Sequence, residues 1–110
     1  MIIRPLTETD VDKIVNIKTG DFSDGWNKEM LDSAFKTERL YAFGCFMGDN
    51  LVGYITFMTA DDTADLETVV VLEGFRKKGI AYNLINKSIE KLKEINVKKF
   101  FLEVRKSNFS

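Results

Sequence analysis

Histidine is missing altogether from this 110-residue chain. Its absence excludes Ser-His-Asp and Cys-His catalysis within the chain, and histidine-ligated zinc with them. The one cysteine, Cys45, has no partner for an internal disulfide, which favours a reducing compartment. It sits in the apolar run 42–47, so buried packing is its expected role. No apolar run approaches the roughly 20 residues needed to cross a bilayer. The opening Met1-Ile2-Ile3-Arg4-Pro5 lacks the longer apolar region of a signal peptide. Net charge is also small, at −1, so no global field argues for nucleic acid or an acidic membrane, and any basic function must be local. A soluble, cytoplasmic protein is the economical expectation. No internal repeat or low-complexity segment stands out.

What is present fits one domain over residues 1–110, with 45% hydrophobic residues to supply a core. Ile2 and Ile3 predict a short strand ended by Pro5. Thr7 can cap a helix with Asp10 three residues on, followed by Val11, Ile14 and Val15 on one face and Gly20 as a stop. Asn27 caps a second helix, Trp26 packs against Leu31 as a staple, and Met30, Leu31, Ala34 and Phe35 form the inward stripe. Residues 40–47 and 51–58 flank Gly48-Asp49-Asn50 and predict an antiparallel hairpin, with Phe43, Phe46, Tyr54 and Phe57 in the core. Residues 59–65 read as a solvated acidic loop. Its Asp61, Asp62 and Asp65 match no calcium-loop spacing, and no metal site is expected.

The chain is organised around residues 66–82. The β-branched run Val69-Val70-Val71 predicts a buried strand that breaks at Glu73-Gly74, passes through Arg76-Lys77-Lys78, and enters a helix near Gly79. Such a loop suits anions, because the first N–H groups of a helix lack intrahelical partners and carry the positive end of its dipole. Gly79 and Ala81 allow close approach, and the three basic residues add charge. Ile80, Leu84, Ile85, Ile89, Leu92 and Ile95 recur at helical spacing, Asn96 can end the helix, and residues 97–104 read as a further strand. In that strand Phe100, Leu102 and Val104 face one way, and Phe101, Glu103 and Arg105 the other. The order β-α-α-β-β-β-α-β is a mixed α/β domain whose β-α-β unit makes a parallel crossover.

Arg76-Lys77-Lys78-Gly79-Ile80-Ala81 resembles the R/Q-x-x-G-x-G/A acetyl-CoA signature of the GNAT N-acetyltransferases, with Ala81 in place of the commoner glycine. Phe101-Leu102-Glu103-Val104-Arg105-Lys106-Ser107-Asn108 is similar to the LEVR-x-SN segment of the ribosomal-protein-alanine acetyltransferases. Phe22 to Trp26 and the following Asn27-Lys28-Glu29-Met30 loosely resemble that subfamily's N-terminal aromatic segment, which borders the peptide groove.

The resemblance implies the GNAT acyl-CoA N-acyltransferase fold, here truncated after the fifth strand, and acetyl-CoA as cosubstrate with no metal. It implies that Val69, Val70 and Val71 offer backbone groups to the pantetheine arm. Arg76, Lys77, Lys78, Gly79, Ile80, Ala81 and Tyr82 would cradle the pyrophosphate, and Asn108 would touch the cofactor. An amine must lose a proton before it attacks a thioester, and a carboxylate can accept it. Glu103 matches the subfamily's proton acceptor, while Glu67 lies where many other GNAT enzymes place their base.

The implied acceptor is the α-amino group of a protein or peptide N-terminus, such as a ribosomal protein's alanine. Alternatives are a non-catalytic acetyl-CoA-binding fragment and an enzyme for a small amine. In the family a further helix with an ALY-x-x-x-GF pattern, bearing the tyrosine that protonates the thiolate, and two strands would follow Asn108. Their lack predicts an incomplete sheet edge through which a homodimer could form.

Overall fold

The computed structural model describes residues 1–17 and 27–101, so the readings at Gly20, Phe22, Trp26, Glu103 and Asn108 lie outside the described residues. Strand β1 (Ile2–Pro5) leads through a 3-10 turn (Glu8–Asp10) into α1 (Val11–Asn16). After α2 (Lys28–Lys36) come β2 (Leu40–Met47), β3 (Asn50–Ala60) and β4 (Thr63–Val71). A second 3-10 turn (Glu73–Phe75) precedes α3 (Ile80–Glu94), and β5 (Lys99–Phe101) follows. The sheet runs in the order β1-β2-β3-β4-β5, antiparallel throughout except for the parallel pair β4-β5. The mixed α/β expectation holds. No helix among the described residues is long and apolar enough to cross a membrane.

Each face of the sheet has its own apolar layer. Under α1 and α2 lie Leu6, Ile14, Leu31, Phe46, Tyr54 and Val70. Under α3 lie Phe43, Cys45, Ile55, Phe57, Val69 and Leu84. Cys45 is therefore a packing residue, as its apolar context implies. Burial pushes the Tyr54 phenol up to about 12, which keeps it neutral inside its layer. On α3 the inward positions include Ser88, whose hydroxyl donates to the Leu84 carbonyl at 2.9 Å. That bond lets a polar residue occupy a core position.

Two expectations are corrected. Residues 59–65 are not a loop, because β3 continues to Ala60 and β4 starts at Thr63, leaving only Asp61 and Asp62 in the turn. Asp61 takes a φ of 54°, a left-handed conformation that aspartate tolerates better than most residues. The Thr63 hydroxyl donates to the Ala60 carbonyl at 2.9 Å, and the Asp62 carbonyl accepts from Lys98 N–H at 2.7 Å. The second correction is Met30, which is 49% exposed. It belongs to the first turn of α2, where Leu31 and Ala34 carry the buried side.

A β-bulge interrupts β4. The β3-β4 register passes from Thr56↔Thr68 to Phe57↔Leu66, so Glu67 has no opposite residue. The extra residue reverses the alternation. Ala64 and Leu66 face α3 before the bulge, and Val69 and Val71 face it after. Beyond this point β4 is held by β3 alone among the described residues, since β5 pairs only with Thr63, Ala64 and Asp65. Phe100 of β5 meets Phe57 edge-on at 5.9 Å between ring centroids and anchors the far end of the pair.

The N-terminal corner is fixed electrostatically. Asp10 is 5% exposed and accepts from Arg4 Nη1 at 3.2 Å, Arg4 Nη2 at 3.0 Å and Thr7 N–H at 2.9 Å. Thr7 and Asp10 form the reciprocal capping box predicted from their spacing. The Arg4 hydrogen bonds hold the Asp10 carboxyl below its ordinary range, against the opposing effect of burial. Asp10→Asn is expected to lower stability by about 1–2 kcal/mol near neutral pH, discounted for the half-exposed Arg4. Because the folded pKa is depressed, the Asp10 contribution is complete above the unfolded value of about 4 and is lost as pH falls through the folded one. Urea unfolding of both proteins should therefore show a gap that narrows as pH drops below about 4. A gap undiminished at about pH 2 would contradict the assignment.

Candidate functional site

The loop between β4 and α3 combines free donors with unusual backbone conformations. Lys77 (φ 63°) and Gly79 (φ 79°) are both left-handed, and Gly79 is the N-cap of α3. No side chain caps the helix. Its first bond to the loop runs from Asn83 N–H to the Gly79 carbonyl at 3.0 Å. Among the described residues no acceptor meets the backbone N–H groups of Lys77, Lys78, Gly79, Ile80, Ala81 and Tyr82. Such a run of donors at the positive end of a 15-residue helix can bind anionic oxygens. A Cβ built on Gly79 would meet nothing within 4 Å, so the approach to them is open there. Lys77 and Lys78 are exposed beside it.

The open edge of β4 supplies the second part. Leu72 donates its N–H to the Val52 carbonyl at 2.9 Å, so Leu72 and, two residues earlier, Val70 turn their main-chain groups toward β3. Val69 and Val71 turn theirs to the opposite edge, where no described strand pairs with them. Val70 therefore contributes a core side chain and a ladder partner, Tyr54, rather than an edge group as the sequence suggested. The Val71 carbonyl is already used, accepting from Arg76 Nε at 3.0 Å. Left on the edge are the Val69 N–H and C=O and the Val71 N–H.

The bulge presents the third part. Glu67 is exposed and, with Asp65, Leu66 and Phe101, lines a cavity of about 480 Å³ beside the last described β4-β5 pair, Asp65↔Phe101. Loop, edge and carboxylate thus follow one another along residues 67–82. Tyr82, on the first turn of α3, is 70% exposed. Another cavity, of about 640 Å³, opens where β1 ends beside β2, between α2 and the second half of α3. It shares no residue with the loop or with the open edge of β4. Among the described residues no group of three acidic or cysteine side chains gathers to hold a metal.

Sequence reasoning missed the bulge and the inward turn of Arg76. The bulge had a signal, since apolar residues occupy even positions at 64 and 66 and odd ones at 69 and 71. Arg76 had none.

The family profile described as the acetyltransferase (GNAT) family matches residues 11–110. No curated protein sequence matches the chain significantly. Among solved structures, a ribosomal-protein-alanine N-acetyltransferase from Escherichia coli is similar at 23% identity and a TM-score of 0.83, over 97% of this chain and 68% of that one. An aminoglycoside acetyltransferase from an uncultured soil metagenomic sample, solved with sisomicin, matches at 18% identity and 0.79, over 96% and 78% of the two chains. A third, AAC(6')-Iy with the bisubstrate analogue CoA-S-monomethyl-acetylneamine, matches at 15% identity and 0.77, over 97% and 81%. These identities establish a shared fold, while the profile covers nearly the whole sequence. The chain belongs to the GNAT family of acetyl-CoA-dependent acetyltransferases.

Proposed function

We propose that the chain transfers acetyl from acetyl-CoA to the α-amino group of a protein N-terminus, with a ribosomal protein's terminal alanine as the acceptor. The observation that carries the cofactor half is the run of N–H groups from Lys77 to Tyr82 that meet no acceptor among the described residues, next to a strand edge that no described strand pairs. These residues fit a nucleotide thioester. The N–H groups and the helix dipole take the pyrophosphate, Lys77 and Lys78 add charge, and Ile80 and Ala81 keep the approach clear. Val69 and the Val71 N–H take the amides of the pantetheine arm as a neighbouring strand would. Asn108 adds a contact from beyond β5. Acetyl-CoA supplies an activated acetyl group.

The chain must deprotonate the incoming ammonium. Glu103 is the proposed acceptor, directly or through water, on the subfamily's LEVR-x-SN pattern. Glu67 is the alternative, exposed at the bulge and lining the cavity beside Phe101. A cytoplasmic setting is consistent with both substrates. A second reading, a small-amine acceptor, is favoured by the comparable fold similarity to an aminoglycoside enzyme.

Calorimetric titration with acetyl-CoA is expected to show saturable binding that Gly79→Asp abolishes while circular dichroism shows the variant folded. Binding unchanged by Gly79→Asp would remove the loop from the assignment. In turnover assays Glu103→Gln should lose about 10²–10⁴-fold in kcat with little change in cofactor affinity, and Glu67→Gln should lose less. The reverse order would transfer the role to Glu67. Peptides starting with alanine should be acetylated in preference to aminoglycosides and polyamines. Turnover confined to the amines would select the second reading, and cofactor binding without turnover on any acceptor would identify a binding module.

A further inference from the structure

We infer that Arg76 is a positioning residue. Through Nε–H donation to the Val71 carbonyl it fixes the angle between the strand edge and the phosphate loop, and it does not act as a charge on the phosphates. The inference rests on the acetyl-CoA reading above and assigns one residue of that site a different task from its neighbours. Arg76 sits where the corner closes. Phe75 N–H donates to the Leu72 carbonyl at 2.8 Å, Arg76 N–H reaches the Glu73 carbonyl at 3.4 Å, and Arg76 Nε returns to Val71 at 3.0 Å. The next backbone groups along the chain are the N–H groups of Lys77 and Lys78, which meet no acceptor among the described residues. Any drift of the Arg76 backbone would move those donors relative to β4.

Two further observations separate Arg76 from the basic residues that follow it. Lys77 and Lys78 are exposed, whereas Arg76 is half-buried with its Nε turned back into the fold. Charge at the loop is therefore already available without it. In addition, the Val71 carbonyl lies on the same edge as the Val69 groups, and Arg76 occupies it. Among the described residues, the edge left for an extended ligand arm is then an acceptor and a donor at position 69 and a donor at 71. This restricts how a pantetheine arm can align.

Two substitutions separate the roles. The Nε2 of a glutamine stands the same number of bonds from Cα as the Nε of arginine, so Arg76→Gln keeps the donor and loses the charge. Arg76→Lys keeps the charge but has carbon at that position. Acetyl-CoA affinity is expected to stay within about threefold in Arg76→Gln, with an unchanged salt dependence, and to fall about tenfold or more in Arg76→Lys. An equal or larger loss in Arg76→Gln would overturn the inference and make Arg76 an electrostatic contact. Equal affinity of all three proteins would also overturn it.

Independently of any ligand, the Arg76 Nε–H proton of the wild-type chain should exchange slowly with solvent by nuclear magnetic resonance, and fast exchange would refute the brace. A wild-type chain that binds no acetyl-CoA would defeat the acetyl-CoA reading, while the Nε–H measurement would still decide whether Arg76 braces the loop.

Discussion

Main-chain hydrogen bonding is the constraint on which this domain turns. A strand in the middle of a sheet has two edges, and buried N–H and C=O groups left unpaired on either are costly. β4 pairs with β3 along one edge, interrupted at Glu67, and among the described residues its other edge pairs with β5 only over its first three residues. From the bulge at Glu67 onward no described strand takes that second edge. The bulge allows this without loss of the core, because it restores the apolar face under α3 with Val69 and Val71. A substrate with amide groups can then be bound by the same hydrogen bonds that build the fold.

The helix that follows extends the same logic. α3 begins with a left-handed glycine at its N-cap, which supplies no side-chain oxygen to the first N–H groups of the helix. The contrast lies within the chain itself. Thr7 caps the 3-10 turn that leads into α1 and Asn27 caps α2, each through a side-chain oxygen. At α3 no side-chain oxygen fills that place, and its first N–H groups meet no acceptor among the described residues.

The loop, the helix start and the hairpin were legible in the sequence because each has a local physical signature: glycine at a positive φ, apolar spacing, and a turn between β-branched runs. The acidic turn was misread since three aspartates over seven residues outweighed the single buried Ala64 between them, and a two-residue connection leaves little local pattern. Met30 was misread through a periodicity that did not allow for its place at the exposed start of α2. Val70 shows a different limit. Its residue type locates the strand, but which edge its main chain faces depends on ladder phase, fixed here by Leu72 bonding to Val52. Glu103 and Asn108 rest on the resemblance alone.

Charge and geometry divide the work at the loop. An exposed lysine near a bound phosphate contributes an attraction that salt screens over about 8 Å at physiological ionic strength, so Lys77 and Lys78 chiefly favour encounter. Fixed N–H donors are less screened and set position, but only if the backbone carrying them is itself fixed. Arginine and glutamine are the two residues accepted at the first position of the signature that this loop resembles. They share no charge. What they share is a nitrogen donor at the ε position, which in this chain reaches the last carbonyl of β4. A position that requires that donor and tolerates loss of the charge serves the shape of the loop, leaving attraction to the residues beside it.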